Sequence, residues 1–102
     1  MIKHIVMWNV SGETPEEKRR TALIVKEKFE ALADQIPGLK KLEIGIDSSR
    51  ISYACDVVLY SEFVDADALR SYVDHPLHLR VKADLEGMRI SRHQVDYHVQ
   101  DL

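Results

Sequence analysis

A chain of 102 residues with a net charge of −3 and 30% charged residues is long enough for one domain around one small core. An acidic balance without a basic stripe speaks against nucleic acid as a partner, and no apolar run reaches the ~18–20 residues that a membrane helix needs. One cysteine, Cys55, leaves no internal disulfide; with no secretory leader pattern at the start, a reducing, cytoplasmic setting is expected.

Ile2 to Val10 predicts a strand, with Ile2, His4, Val6, Trp8 and Val10 on one face and Ile5 and Met7 on the other. Both faces are apolar, the pattern of a central strand covered on each side. Thr14-Pro15-Glu16-Glu17 starts a helix: Thr14 caps it, Pro15 fits the first helical position and Glu17 completes a capping box. Ala22, Val25, Phe29, Leu32, Ala33 and Ile36 then recur as one apolar stripe up to Pro37-Gly38. The charged residues between Lys18 and Glu30 fall largely off the stripe and read as a solvated face.

Leu39–Ile46 reads as an edge strand, apolar at Leu42, Ile44 and Ile46 and polar on its other face. Asp47-Ser48-Ser49-Arg50 is turn chemistry, and Ile51–Phe63 is the expected hairpin partner. That run is again largely apolar on both faces, so it predicts a second central strand. Within it Cys55 is expected to be an inert core thiol, and Tyr53 and Tyr60, like Tyr97 later, to lie in the core or at a dimer interface. Asp65 or Asp67 can cap a helix carrying Leu69, Tyr72 and Val73. A short helix from Pro76 to about Glu86 follows, and Gly87 closes it. Arg89 to Val99 gives the last strand, with Val95, Tyr97 and Val99 facing opposite to Asp96 and His98.

Tyr72-Val73-Asp74-His75-Pro76-Leu77-His78 collects the most reactive side chains. Proline inside a helix loses a hydrogen bond and clashes with the preceding turn, so Pro76 should end one helix and begin the next. The break holds a phenol and two imidazoles, groups able to exchange protons near neutral pH, within about a turn of one another.

The order strand, helix, strand, strand, helix, strand is that of an α+β, ferredoxin-like βαββαβ protomer, here a single domain over residues 1–102. The crossover rule puts the first and third strands in the middle of a four-stranded antiparallel sheet. Two helices cover one face. The other, with Ile5, Met7 and Val58, predicts a homodimer whose sheets meet face to face.

Lys3-His4-Ile5-Val6, Ile36-Pro37-Gly38-Leu39, Ser61-Glu62-Phe63, Tyr72-x-x-His75-Pro76-x-His78 and Val95-Asp96-Tyr97 together resemble the stress-responsive A/B-barrel (Dabb) family of dimeric α+β barrels. The resemblance runs almost end to end. It implies a homodimeric barrel and a small-molecule pocket between sheet and helices, lined by His4, Val6, Trp8, Phe29 and the Tyr72–His78 stretch, with His75 and Asp96 beside it. The catalytic tyrosine and histidine of a plant polyketide cyclase in this family, which performs an aldol condensation without cofactor or metal, fall on Tyr72 and His78. Its pocket histidine falls on His4. Its helix tyrosine meets Phe29 here, so one polar contact is absent, and Trp8 is bulkier than the residue it replaces.

By this resemblance His78 is a candidate general base and Tyr72 a hydrogen-bond donor to a carbonyl; Asp96, on the strand face opposite Val95 and Tyr97, is the candidate carboxylate to orient the His78 ring. The competing reading has these side chains tying the broken helix to the sheet. His75 is expected to sit as a cation at a helix C-terminus, and His4 to be a satisfied core histidine unless the resemblance gives it a pocket role. H-x-x-H at His75 and His78 lacks an ordered ligand set, so neither metal nor cofactor is expected. Two functions remain: cofactor-independent acid–base chemistry on a carbonyl compound, or a non-catalytic dimer that binds a small apolar or aromatic ligand.

Overall fold

Alternating burial marks the first strand, β1 (Ile2–Trp8): Ile2, His4, Val6 and Trp8 are buried, whereas Lys3 and Ile5 are half-buried and Met7 is exposed. The structure, a computed structural model, describes residues 1–100; the last two residues of the expected domain lie outside the described residues. The other elements are α1 (Pro15–Glu30), β2 (Leu39–Ile46), β3 (Val57–Phe63), α2 (Ala66–Val73), α3 (Pro76–Asp84) and β4 (His93–His98). The sheet order is β2-β3-β1-β4, antiparallel throughout, as the crossover rule requires of this element order. Register sets the two faces. Ile5 pairs with Tyr60 and Val95, and Met7 with Val58 and His93, all on the outward face. His4 pairs with Ser61 and Asp96 on the face beneath the helices.

The core fills that helical side. Val25 and Phe29 of α1, Leu69 and Tyr72 of α2 and Val81 of α3 join Val6, Trp8, Val57, Leu59 and Phe63 of the central strands. Fully burying such a side chain contributes ~1.5–3 kcal/mol. Each helix starts where local chemistry demands. The Thr14 hydroxyl accepts from the Glu17 amide at 3.1 Å, and the Glu17 carboxylate accepts from the Glu13 amide at 2.7 Å. Asp65, rather than Asp67, caps α2 through the Ala68 amide.

Four element boundaries differ from expectation. β1 ends at Trp8, and Val10 lies beyond it in an isolated bridge to Arg89. α1 stops at Glu30, and the chain continues in tight turns through Leu32 and Gln35. Leu32 and Ile36 stay buried, but helical geometry is disfavoured immediately before Pro37. β3 begins at Val57, because Ile51–Ala54 form a turn and Asp56 is drawn inward, its carboxylate accepting from the Val10 amide at 2.9 Å. Tyr53 is consequently 86% exposed, and Cys55 is a half-buried loop thiol rather than a core one. β4 spans only His93–His98, since Arg89 and Ile90 are held by residues 9 and 10 instead of the sheet ladder.

The charged face of α1 is not wholly solvated. Lys26 donates to the Ile44 carbonyl at 2.8 Å, and Glu30 accepts from the Ile44 amide at 3.1 Å. Two side chains thus satisfy an edge-strand residue that would otherwise offer a pairing template. The Lys26 ammonium, with the Ile44 amide, holds the Glu30 carboxyl below its ordinary range.

Gly38 sets how α2 meets the sheet. Its φ is +80°, a Cβ there would lie 2.5 Å from the Ala68 Cβ, and its carbonyl accepts from the Val64 amide. Gly38→Ala should therefore destabilise the fold by about 1–3 kcal/mol, read as a lowered midpoint in equilibrium urea unfolding; an unchanged midpoint would contradict the close packing of α2.

Candidate functional site

The break at Pro76 builds the centre of the site. In an unbroken helix the Leu77 amide would bond the Val73 carbonyl. Here the Leu77 amide donates to His75 Nδ1 at 3.1 Å, and the Val73 carbonyl accepts from His78 Nδ1 at 3.0 Å. His75 therefore caps the start of α3, correcting its expected place as a cation at a helix end; an Nδ1 that accepts must be unprotonated. His78 is fixed as the Nδ1–H tautomer, so Nε2 keeps its lone pair. The Nδ1 atoms of the H-x-x-H pair thus serve separate backbone groups. Among the described residues no three His, Cys, Asp or Glu side chains converge as a metal-holding group.

Tyr72 and His78 meet as expected. Their ring centroids are 4.2 Å apart, and Tyr72 is 2% exposed. Burial pushes the Tyr72 phenol far above its ordinary range, against an opposite pull from Arg89 and Arg92. Its hydroxyl has no hydrogen-bond partner among the described residues. Burial also holds the His78 imidazole below its ordinary 6.5, outweighing the upward pull of the Val73 carbonyl; Lys82, Arg89 and His4 lower it further. The phenol stays protonated and the imidazole neutral near pH 7, a donor beside an acceptor.

Asp96 does not orient His78. It lies opposite His4 in the β1–β4 register, and its carboxylate takes His4 Nδ1 at 2.6 Å. His4 is a satisfied buried histidine at the back of the site, with its ring 6.3 Å edge-on to both Tyr72 and Phe63. Trp8 and Phe29 stack at 5.2 Å with an 18° tilt, and Phe29 reaches His78 at 6.4 Å. This stack occupies space between sheet and helices that the expected pocket would need. Val6, the remaining expected lining residue, is 1% exposed. Cavities of about 360, 600 and 370 Å³ open on the molecule, and none of the three is lined by Tyr72, His78 or His4. The last reaches the site's edge through Trp8 and Arg89.

Arg89 escaped the sequence reading, in which it merely opened the last strand. Its guanidinium carbon sits 4.8 Å from the Trp8 ring centre and 5.3 Å from that of Phe29, within cation–π range. The only sequence signal was the basic pair Arg89 and Arg92 just ahead of the strand.

A ferredoxin-like α+β fold with a histidine–tyrosine pair over its sheet is the class that these features define. The chain belongs to the stress responsive A/B barrel domain family, which it matches over residues 2–99. It is 35% identical over 78 residues to an uncharacterized protein of Streptomyces coelicolor, covering 76% of this chain and 79% of that one. A dimeric protein of unknown function with a ferredoxin-like fold from Bacteroides fragilis is 33% identical, with a TM-score of 0.83 over 96% of this chain and 95% of that one. The hydroxynitrile lyase of Passiflora edulis shares the fold at 12% identity, with a TM-score of 0.79 over 99% of this chain and 94% of that one.

The tautomer and the titration are measurable together. Long-range ¹H–¹⁵N NMR should show His78 protonated at Nδ1 and bare at Nε2 at pH 7, with its titration midpoint below 6.5. Between that midpoint and 6.5 the folded chain binds fewer protons at His78 than the unfolded chain. This residue's contribution to stability therefore falls as the pH drops through that window. An Nε2–H tautomer would refute the Val73 anchor.

Proposed function

We propose that the protein is a homodimer with a small-molecule site at Tyr72 and His78, where it performs cofactor-independent acid–base chemistry on a carbonyl compound. The observation that carries this reading is the His78 Nδ1 bond to the Val73 carbonyl, which leaves a free Nε2 lone pair on a ring whose centre is 4.2 Å from that of Tyr72. Nε2 takes a proton from the carbon next to the carbonyl. The C–H electron pair moves into a new C=C bond, and the carbonyl π pair moves to oxygen. The Tyr72 O–H, too weak an acid to be lost, donates to that developing oxyanion. The carbanion then attacks a second carbonyl, whose oxygen takes the proton back from the His78 imidazolium. His4, tied to Asp96, holds the floor beneath Tyr72. The single thiol fits a reducing cytoplasm, and no helix among the described residues is long and apolar enough to cross a membrane.

The dimer rests on the outward face, where Met7 is 37%, Val95 50% and Tyr97 42% exposed beside half-buried Ile5 and Val58. Relatives of this fold are described as dimeric. Covering such a face is what apolar burial favours. A second reading, a non-catalytic dimer that binds a small apolar ligand, draws on the Trp8–Phe29 stack.

Proton abstraction can be read without knowing the substrate. With a panel of ketones and β-keto acids in D₂O, the wild type should speed deuterium uptake at the carbon beside the carbonyl. His78→Ala should remove that acceleration, and Tyr72→Phe should lower it about 10²–10³-fold. Absence of acceleration across the panel moves the function to the binding-only reading. For the assembly, Met7→Asp should give monomers in sedimentation velocity; an intact dimer would place the interface elsewhere.

A further inference from the structure

We propose that the ligand of this site carries a carboxylate that docks on the Arg89 guanidinium, with Arg92 beside it, which makes the substrate class a keto acid. The proposal rests on the site reading above and deepens it. Arg89 does not reach its place by chance. Val10 and Arg89 form a β-bridge, Ile90 donates to the Asn9 carbonyl at 2.9 Å, and Ser11 donates to the Met88 carbonyl at 2.9 Å. These contacts pin the backbone on both sides of Arg89 and lay its side chain over the Trp8–Phe29 stack.

The two rings lie within cation–π range of the guanidinium carbon but offer no hydrogen-bond acceptor to its N–H donors, up to five of them, which no protein group meets among the described residues and which are open to solvent. Among the described residues Arg89 makes no ion pair and no side-chain hydrogen bond. It is nonetheless half-buried, and burial lowers its pKa from the ordinary guanidinium range, with Arg92 pushing the same way. A half-buried cation beside a second cation is an arrangement that a bound anion would stabilise. Arg92, which is exposed, donates through Nε at 3.1 Å and through Nη2 to the neutral Gln94 side-chain oxygen and makes no ion pair among the described residues. Glu86 is the one carboxylate lining the adjoining cavity of about 370 Å³; it is exposed and makes no ion pair with either arginine. The other electrostatic neighbours of Arg89 are Tyr72 and His78. An anion held at Arg89 therefore lies at the edge of the site, beside the Trp8 ring and within electrostatic reach of Tyr72 and His78.

Trp8 is the chain's only tryptophan and lies directly under Arg89, so its fluorescence reports this position. Titrating the full-length protein with cyclohexanecarboxylate and with the uncharged cyclohexanecarboxamide separates charge from shape. The carboxylate should bind at least about tenfold more tightly than the amide. Arg89→Gln should erase that preference, and Arg89→Lys should restore part of it. Equal affinities for the two probes in the wild type would overturn the proposal, and so would failure of both to bind; neither result depends on whether a variant folds. The two readings fail separately. Arg89-dependent carboxylate binding with no His78-dependent deuterium exchange would uphold the anion subsite and reject the catalysis. His78-dependent exchange with equal affinities for acid and amide would do the reverse.

Discussion

Pro76 removes one backbone donor from the helix that Tyr72 and Val73 would otherwise continue, and the site's geometry depends on how the local carbonyls and amides are satisfied afterwards. The Tyr72 carbonyl keeps a partner in the His75 amide at 3.1 Å. The Val73 carbonyl loses the Leu77 amide, which turns to His75 Nδ1, and is met by His78 Nδ1 instead. A backbone requirement is thus met by an imidazole, and meeting it selects the tautomer. The same break brings the His78 ring against the Tyr72 ring, because the second helix restarts at a new angle.

The sheet supplies the other half of the site through register. His4 falls opposite Ser61 on one neighbouring strand and Asp96 on the other. Ser61 donates to the His4 carbonyl at 2.8 Å, and Asp96 takes the ring nitrogen. A slip of one residue would turn His4 to the outward face and strand both partners. The floor of the site is therefore specified as tightly as the hydrophobic core around it.

How much of this was legible in the sequence followed from whether a period or a local rule governed each residue. The two-residue alternation in β1 and β3 gave the central strands and the apolar character of both their faces, of which the helices cover one. The proline, Thr14 and Asp65 signals gave three helix starts, because capping is decided within four residues of chain. The start of β3 was not legible: Tyr53 and Cys55 keep the alternation of Val57 and Leu59, yet Asp56 turns inward to bond Val10 from a distant strand. The partner of Asp96 was equally hidden. Its side of the strand could be read, but whether His4 or His78 stood across from it was a matter of register. Arg89 carried no periodic signal at all, since contacts of residues 88–90 with the stretch from Asn9 to Ser11 place it.

The same low-polarity setting acts on Tyr72 and His78 in opposite chemical senses. Burial disfavours the charged form of each group, and the charged form is the deprotonated phenol in one case and the protonated imidazole in the other. One environment therefore keeps a proton on Tyr72 and off His78, so that in the proposed reaction donor and base need no further device to tell them apart. What that environment cannot supply is attraction for a substrate, because both groups are neutral. In the proposed subsite, Arg89, 4.8 Å from the Trp8 ring centre at the edge of the site, supplies the attraction that the neutral pair lacks.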